Sequence, residues 1–290
     1  MKKTTWIAIA AALAWANAAE AGPPKDPPTS CAPDAVLVGP TCVDKYEASI
    51  WLVPPTNLAG KSNKGLIKSI RKGKAMLADL TAGNATQLGC FFGQTAYPAG
   101  FPETGNWVPD PVQPVPPSPG VYAVSIPGVL PSTCTTWFQA EQACALSGKR
   151  LLSNQEWQRA AASTPDPGTD NGTTDCVVSS GPSNTGARTN CVSAWGVNDM
   201  VGNVGEWVAD WGDLAIACTD WTSAYSGGLP GGDFSCVGGD GNSAPFRVPG
   251  AFLRGGYWAL GTFAGVFAIV SGNPAAGGPF APEQGLRCAR

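Results

Sequence analysis

The 290-residue sequence predicts an α+β domain that is irregular, loop-rich and stapled by disulfides. Three observations predict it. Two capped helical segments in the middle of the chain, 136–148 and 153–165, are followed to the C-terminus by short strands between long glycine-rich turns. Gly 37 and Pro 27 with only 13% charged residues describe long connections over a packed core, not a helical bundle. Ten cysteines, an even number, allow a disulfide framework.

The elements follow in chain order. Lys2 and Lys3 precede an apolar stretch over 7–19, and Ala19-Glu20-Ala21 offers the small residues of a cleavage site. Residues 1–21 therefore read as a signal peptide, too short for a membrane span, and no other segment has the uninterrupted apolar length to cross a bilayer. Export to the periplasm or beyond puts the cysteines where they pair. Residues 22–30 form a Pro-rich leader, and 31–290 reads as a single domain. Eleven Trp and ten Phe provide large surfaces to bury, which excludes a disordered chain.

Cys31 and Cys42 flank a strand and turn at 36–40, with 43–48 as the return strand, and a local Cys31–Cys42 bridge would staple the hairpin. Residues 61–74 carry six basic side chains and no acid, which reads as a solvated loop and helix rather than an anion site. They belong to an insertion spanning about 56–130, within which 93–120 is a surface loop. Thr136 and Gln139 have capping-box spacing ahead of a face made by Trp137, Ala140, Ala143 and Cys144, and Gly148 ends that helix. Ser153 and Glu156 begin the second helix, with Pro165 beyond its stop.

Composition narrows the chemistry. There is no histidine, which removes Ser–His and Cys–His pairs and histidine-held iron. No C-x-x-C spacing suggests thiolate zinc. A net charge of −3 gives no footprint for nucleic acid. Asp210 and Asp213 beside Trp211 are a conceivable carboxylate pair, though surface acids are usually solvated.

Five segments line up in order: 42–47 (CVDKYE), 148–153 (GKRLLS) with Glu156-Trp157, 196–207 (GVNDMVGNVGEW), 253–256 (LRGG) and 285–288 (GLRC). Together they resemble the formylglycine-generating enzymes, or sulfatase-modifying factors, from about Cys42 to the end of the chain. The resemblance implies a variant of the C-type lectin fold. It also implies bridges Cys144–Cys288, Cys176–Cys191, Cys218–Cys236 and Cys90–Cys134. It further implies structural calcium in the 199–207 turn, held by Asp199, Glu206 and the carbonyls of Gly202 and Val204. The alternative for that turn is that the two carboxylates satisfy backbone donors.

The resemblance does not extend to the family's chemistry. Formylglycine generation uses copper on two cysteines between the Arg-Gly-Gly and Gly-x-Arg-Cys motifs. Here 257–284 contains no cysteine, and the pair would fall near Gly265 and Val270. Gly205 stands where the family motif has a Trp, so a groove wall is missing. Neither copper nor iron is expected. Residues 259–282 carry no charge, yet by resemblance they form the solvent-facing ligand surface. Tyr257, Trp258, Ala259, Leu260, Phe263, Val270 and Gly272 are the candidate ligand-binding residues of a face spanning about 257–285. Residues 266–268 read as a core strand. The pattern is similar to the variable C-terminal region of retroelement-diversified proteins, since every residue from 259 to 282 is of a type that pyrimidine-ending codons encode. The expectation is an exported, noncatalytic binding domain for a protein or glycan ligand. The alternative is a divergent oxidoreductase acting on sulfur groups.

Overall fold

In the computed structural model, residues 28–98, 101, 120–166, 169–214, 219–220, 232–237, 249–275 and 281–290 are described. The expected signal peptide, most of the leader, most of the 93–120 loop and Cys218 lie outside them.

The expected hairpin forms from β1 (Ala35–Val38) and β2 (Thr41–Asp44), paired antiparallel with Val36 opposite Val43. Cys31–Cys42 staples it. The return strand stops at Asp44 rather than continuing to Ala48. Lys45 N donates to Asp34 O and Tyr46 N to Ser125 Oγ, which diverts the chain into β3 (Ser49–Leu52) of a different sheet. The hairpin is completed from the far end of the chain. β2 pairs with β13 (Cys288–Ala289), which pairs in turn with β6 (Arg150–Leu151). Cys144–Cys288 fastens the last strand to a helix.

β3 lies between β4 (Thr86–Leu88) and β5 (Val121–Val124). Between β3 and β4 run α1 (Lys64–Arg71) and α2 (Leu77–Ala82), which bury Ile70 and Leu80 against Trp51, Tyr122 and Val124. Lys61, Lys64, Lys68, Lys72 and Lys74 stay exposed, as a solvated helix requires.

α3 (Trp137–Leu146) and α4 (Asn154–Ala160) begin at reciprocal caps. Thr136 Oγ1 accepts from Gln139 N at 3.1 Å, and Ser153 Oγ accepts from Glu156 N at 3.2 Å. Ala140, Ala143 and Cys144 of α3 join the main core with Ile50, Leu88, Trp207, Leu253 and Leu286.

The third sheet carries the C-terminal half. Its order is β12 (Gln284–Leu286), β7 (Gly205–Asp213), β10 (Pro249–Arg254), β11 (Ile269–Gly272), β9 (Phe234–Cys236) and β8 (Thr219–Asp220). The strand following the 3-10 turn (Gly261–Phe263) is Ile269–Gly272, not 266–268. Val266 and Phe267 lie in a half-buried turn whose carbonyls are recruited by Arg254, so they cannot also serve a ladder. Cys90–Cys134 and Cys176–Cys191 form as the resemblance implies. Cys236 is disulfide-bonded too, and its expected partner Cys218 is outside the described residues. Among the described residues no helix is long and apolar enough to cross a membrane.

Candidate functional site: an apolar pocket above a buried ion pair

The 196–207 motif folds as a succession of tight turns that drive acids into the protein. Asp199 (φ 61°) and Asn203 (φ 53°) both adopt left-handed backbone. Asn tolerates this region because its short side chain bonds locally; here Asn203 Nδ2 donates to Glu47 Oε2. Glu47 Oε1 also accepts from Val204 N at 3.1 Å. Asp199 Oδ2 accepts from Gly186 N at 2.7 Å. Burial pushes Asp199 up to about 6, and burial, then the charges of Asp199 and Glu206, raises Glu47 well above the usual carboxylate range.

Glu206 is answered by Arg287, from the last motif. Oε1 accepts Nη2 at 2.6 Å and Nε at 3.0 Å, while Oε2 accepts Nε at 3.1 Å and Trp157 Nε1 at 2.7 Å. These contacts come from three N–H donors, because the single Arg287 Nε–H is shared between the two oxygens. The counter-charge that the structure places on Glu206, where the resemblance implies a calcium ligand, is a guanidinium. Gly202 and Val204 flank that acid in the same turn, with Gly202 N spent on Gly255 O. Among the described residues no group of three or more metal-ligating side chains is arranged around a common point. The remaining Arg287 donors go to Asp44 O at 3.0 Å and Asn198 O at 2.8 Å, tying three motifs together.

The indole of Trp157 joins this anchor to the face above it. Its ring lies 4.5 Å from the Arg254 guanidinium, which ends β10. Arg254 Nη1 donates to Ala268 O at 2.7 Å and Phe267 O at 3.3 Å. Its Nη2 donates to Val266 O at 3.2 Å and to Gln158 Oε1. Burial pushes Arg254 down to about 10. The 264–268 turn thus wraps a side chain set by the Arg-Gly-Gly motif, and Gly256 (φ 75°) lets the chain leave β10 under Ala264. The same turn is held from the other side by Asp166 Oδ2, accepting Val266 N at 3.0 Å, and Asp233 Oδ2, accepting Phe267 N at 2.7 Å. Burial, then the Asp166 charge, pushes Asp233 up to about 7.

Beside this clamp lies a cavity of about 450 Å³ bounded by β7, β10, β11 and β12. Leu214, Phe234, Leu253, Ile269 and Val270 are among the apolar residues of its wall. Four of the seven expected ligand residues line it: Tyr257, Leu260, Val270 and Gly272. Trp258, Ala259 and Phe263 do not. Trp258 packs edge-on against Phe91 with centroids 5.4 Å apart, Ala259 is exposed, and Phe263 is 50% exposed with its ring edge-on to Phe234. Gly205 lies in the wall where the missing Trp would stand. A Cβ built there meets nothing closer than Glu283 O at 3.4 Å, so the backbone has room for a Cβ beside the cavity. Gly265, near the expected place of the catalytic pair, is the opposite case. A Cβ would come within 1.9 Å of Asp233 Oδ1, so a side chain there would require the Asp233 carboxylate to move.

Sequence reasoning missed Arg254, Arg287, Asp166 and Asp233 as the groups that shape the face. The fixed Arg-Gly-Gly and Gly-Leu-Arg-Cys frames were the available signal for the two arginines. Asp166 and Asp233 carry none, since neither lies in a motif. Of the proposed acid pair, Asp210 is engaged as an acceptor for Asn154 N at 2.6 Å.

No curated protein matches the sequence. Among solved structures the chain is similar to "Major Tropism Determinant I1 Variant", at 21% identity and a TM-score of 0.34 over 53% of this chain and 37% of that one. It is also similar to "Major Tropism Determinant U1 Variant", at 22% identity and a TM-score of 0.35 over the same shares. The chain thus spans little more than a third of those proteins. Residues 119–290 match the family described as "Sulfatase-modifying factor enzyme 1-like domain". With well over half of its length in that match, and with the arginines of its last two motifs organising the face and the core beneath it, the chain belongs to the sulfatase-modifying factor enzyme 1-like family.

Proposed function

We propose that the protein is an exported, noncatalytic binding domain. Its scaffold is a lectin-type sulfatase-modifying-factor fold spanning 31–290, with an insertion at about 56–130. Its ligand site is the pocket between β7, β10, β11 and β12. The observation that carries this reading is the pocket itself: a concave, mostly apolar site in the wall where the family's Trp is replaced by Gly205. The lack of cysteine in 257–284 supports a site without paired thiolates, and the disulfides support an oxidising compartment, periplasmic or extracellular. The signal peptide at 1–21 would direct export. Diversification of 259–282 would alter the exposed rim, Ala259 and Phe263 included, while the Arg254 clamp keeps its shape.

The test is a fragment screen by ligand-observed NMR on the parent and on Gly205→Trp, which fills the cavity from a position with room for a side chain. Hits that disappear in a variant melting like the parent support the proposal. Hits indifferent to the substitution, or conversion of a sulfatase-type cysteine peptide to its aldehyde by the parent, would overturn it.

A further inference from the structure

The insertion carries a charge that nothing inside the molecule answers. Of the chain's 18 basic and 21 acidic residues, 57–82 holds six basic residues and one acid, Asp79, so the excess is local and the remainder of the chain is net acidic. On α1 and its C-cap, Lys64, Lys68, Arg71 and Lys72 follow at three- and four-residue steps, which puts them on the side opposite Leu66 and Ile70. Arg71 is tied back, with Nε donating to Leu146 O at 3.0 Å. Lys61, Lys64, Lys68, Lys72 and Lys74 are exposed, and none has an ion-pair partner among the described residues. The set works against its own helix. Like charges four residues apart repel, Lys64 sits at the positive end of the helix dipole, the first turn has no acid, and Asn63 makes no side-chain cap bond. Only Lys68 and Arg71, in the last turn, suit the dipole. Packing holds α1 instead: Ile70 is buried beside Leu80, and Asn63 Nδ2 donates to Pro54 O at 2.9 Å and Gly83 O at 2.8 Å. The five lysines thus have no internal partner, and their charge is complementary to an anionic one outside.

A solvated face accounts for the lysines but not for the apolar side chains around them. Leu58, at the tip of a turn closed by the Thr56–Ser62 bridge, is 86% exposed, while Met76 and Leu77, at the start of α2, are 54% and 41% exposed. One precedes the basic helix and two follow it. A soluble polyanion is met by charge alone, whereas lysines interleaved with exposed leucine and methionine are the composition that docks at lipid interfaces. We infer that the 57–82 unit binds the surface of a bilayer carrying anionic headgroups. The lysines meet the headgroup phosphates, and Leu58, Met76 and Leu77 enter the boundary between headgroups and acyl chains. The contact is peripheral, reversible and screened by salt. It goes beyond the pocket reading and does not depend on it.

Co-sedimentation of the mature chain, freed of 1–21, with vesicles tests it. Vesicles of phosphatidylcholine and phosphatidylglycerol in equal parts should bind at least about tenfold tighter than phosphatidylcholine alone, the scale of one or two lysines at an anionic surface. Lys64→Gln with Lys68→Gln should cost about tenfold in affinity for the anionic vesicles. The melting temperature should not fall, because the substitutions remove a like-charge pair; lysines that serve only the fold would lower it. Leu58→Ser with Met76→Ser should also weaken vesicle binding and leave any binding to heparin unchanged. Serine suits the N-cap that Met76 occupies, so this variant keeps its fold. A parent that binds neutral and anionic vesicles alike, or neither, would overturn the inference. So would heparin binding without vesicle binding, which identifies a soluble polyanion, or vesicle binding indifferent to either double substitution.

Discussion

The buried anchor and the pocket above it lie on opposite sides of Trp157 and are built on opposite principles. Below, two charged groups are closely paired. Glu206 meets Arg287 on two oxygens, and Lys149 Nζ reaches Asp44 at 2.7 Å and Asp34 at 2.6 Å with no side-chain exposure of its own. Above, mostly apolar side chains surround a cavity that Arg254 and Glu283 also line. A region saturated with directional contacts has one low-energy arrangement. A region of small apolar residues tolerates exchange as long as its frame holds. The difference explains how one scaffold can keep its shape while its ligand face changes.

The largest effect should come from breaking the anchor. Arg287→Leu leaves Glu206 buried without its counter-ion, and urea unfolding should show a loss of about 3–5 kcal/mol. With Arg287 as the counter-charge of Glu206, Glu206→Gln should lower the melting temperature equally in calcium and in EGTA. A parent stabilised by calcium in a way that this variant loses would restore the carboxylate as a cation ligand.

A middle-sized effect is expected at the carboxyl pair that holds the 264–268 turn. Asp233 keeps its proton to about pH 7 when folded, against an ordinary value of 3.8. Protonation therefore favours the folded state. The contribution is complete below pH 4 and is lost as pH rises to 7. Asp233→Asn retains an acceptor for Phe267 N and has no proton to lose. Its melting temperature should match the parent near pH 4 and exceed it near pH 8. Parallel melting curves across that range would mean the pair does not titrate there.

The smallest effect on stability belongs to the rim. Leu260→Ser with Phe263→Ser removes one half-buried and one exposed side chain, so unfolding should shift by less than about 1–2 kcal/mol while affinity for the fragment hits falls. A loss as large as that of Arg287→Leu would make these residues core and erase the contrast between the two regions.

The parts legible in the chain were those encoded within a few residues. Thr136 with Gln139 and Ser153 with Glu156 sit three apart, and a reciprocal cap needs nothing else. The β1–β2 hairpin and its Cys31–Cys42 staple are equally local. The ion pair of the anchor was not legible because its partner is remote. Glu206 and Asp199 are close in sequence and suggest a cation loop, whereas the charge that reaches Glu206 comes from Arg287, whose guanidinium also reaches back to Asp44, 243 positions away. The seven residues assigned to the face divided for a similar reason. A face predicted from an uncharged run cannot distinguish Leu260, which turns into the cavity, from Trp258, which is drawn onto Phe91.

By itself the sequence determined the secondary structure around the caps, the mixed helix-and-strand class, the family and the loss of the cysteine pair from 257–284. These follow from residue identity and short-range periodicity. Tertiary structure alone decided that the return strand ends at Asp44, that Arg287 is the counter-charge of Glu206, and that Gly205 lines a pocket. Each of these depends on groups brought together from distant positions, where burial strengthens a charge pair and packing determines whether a missing side chain leaves a cavity or a contact.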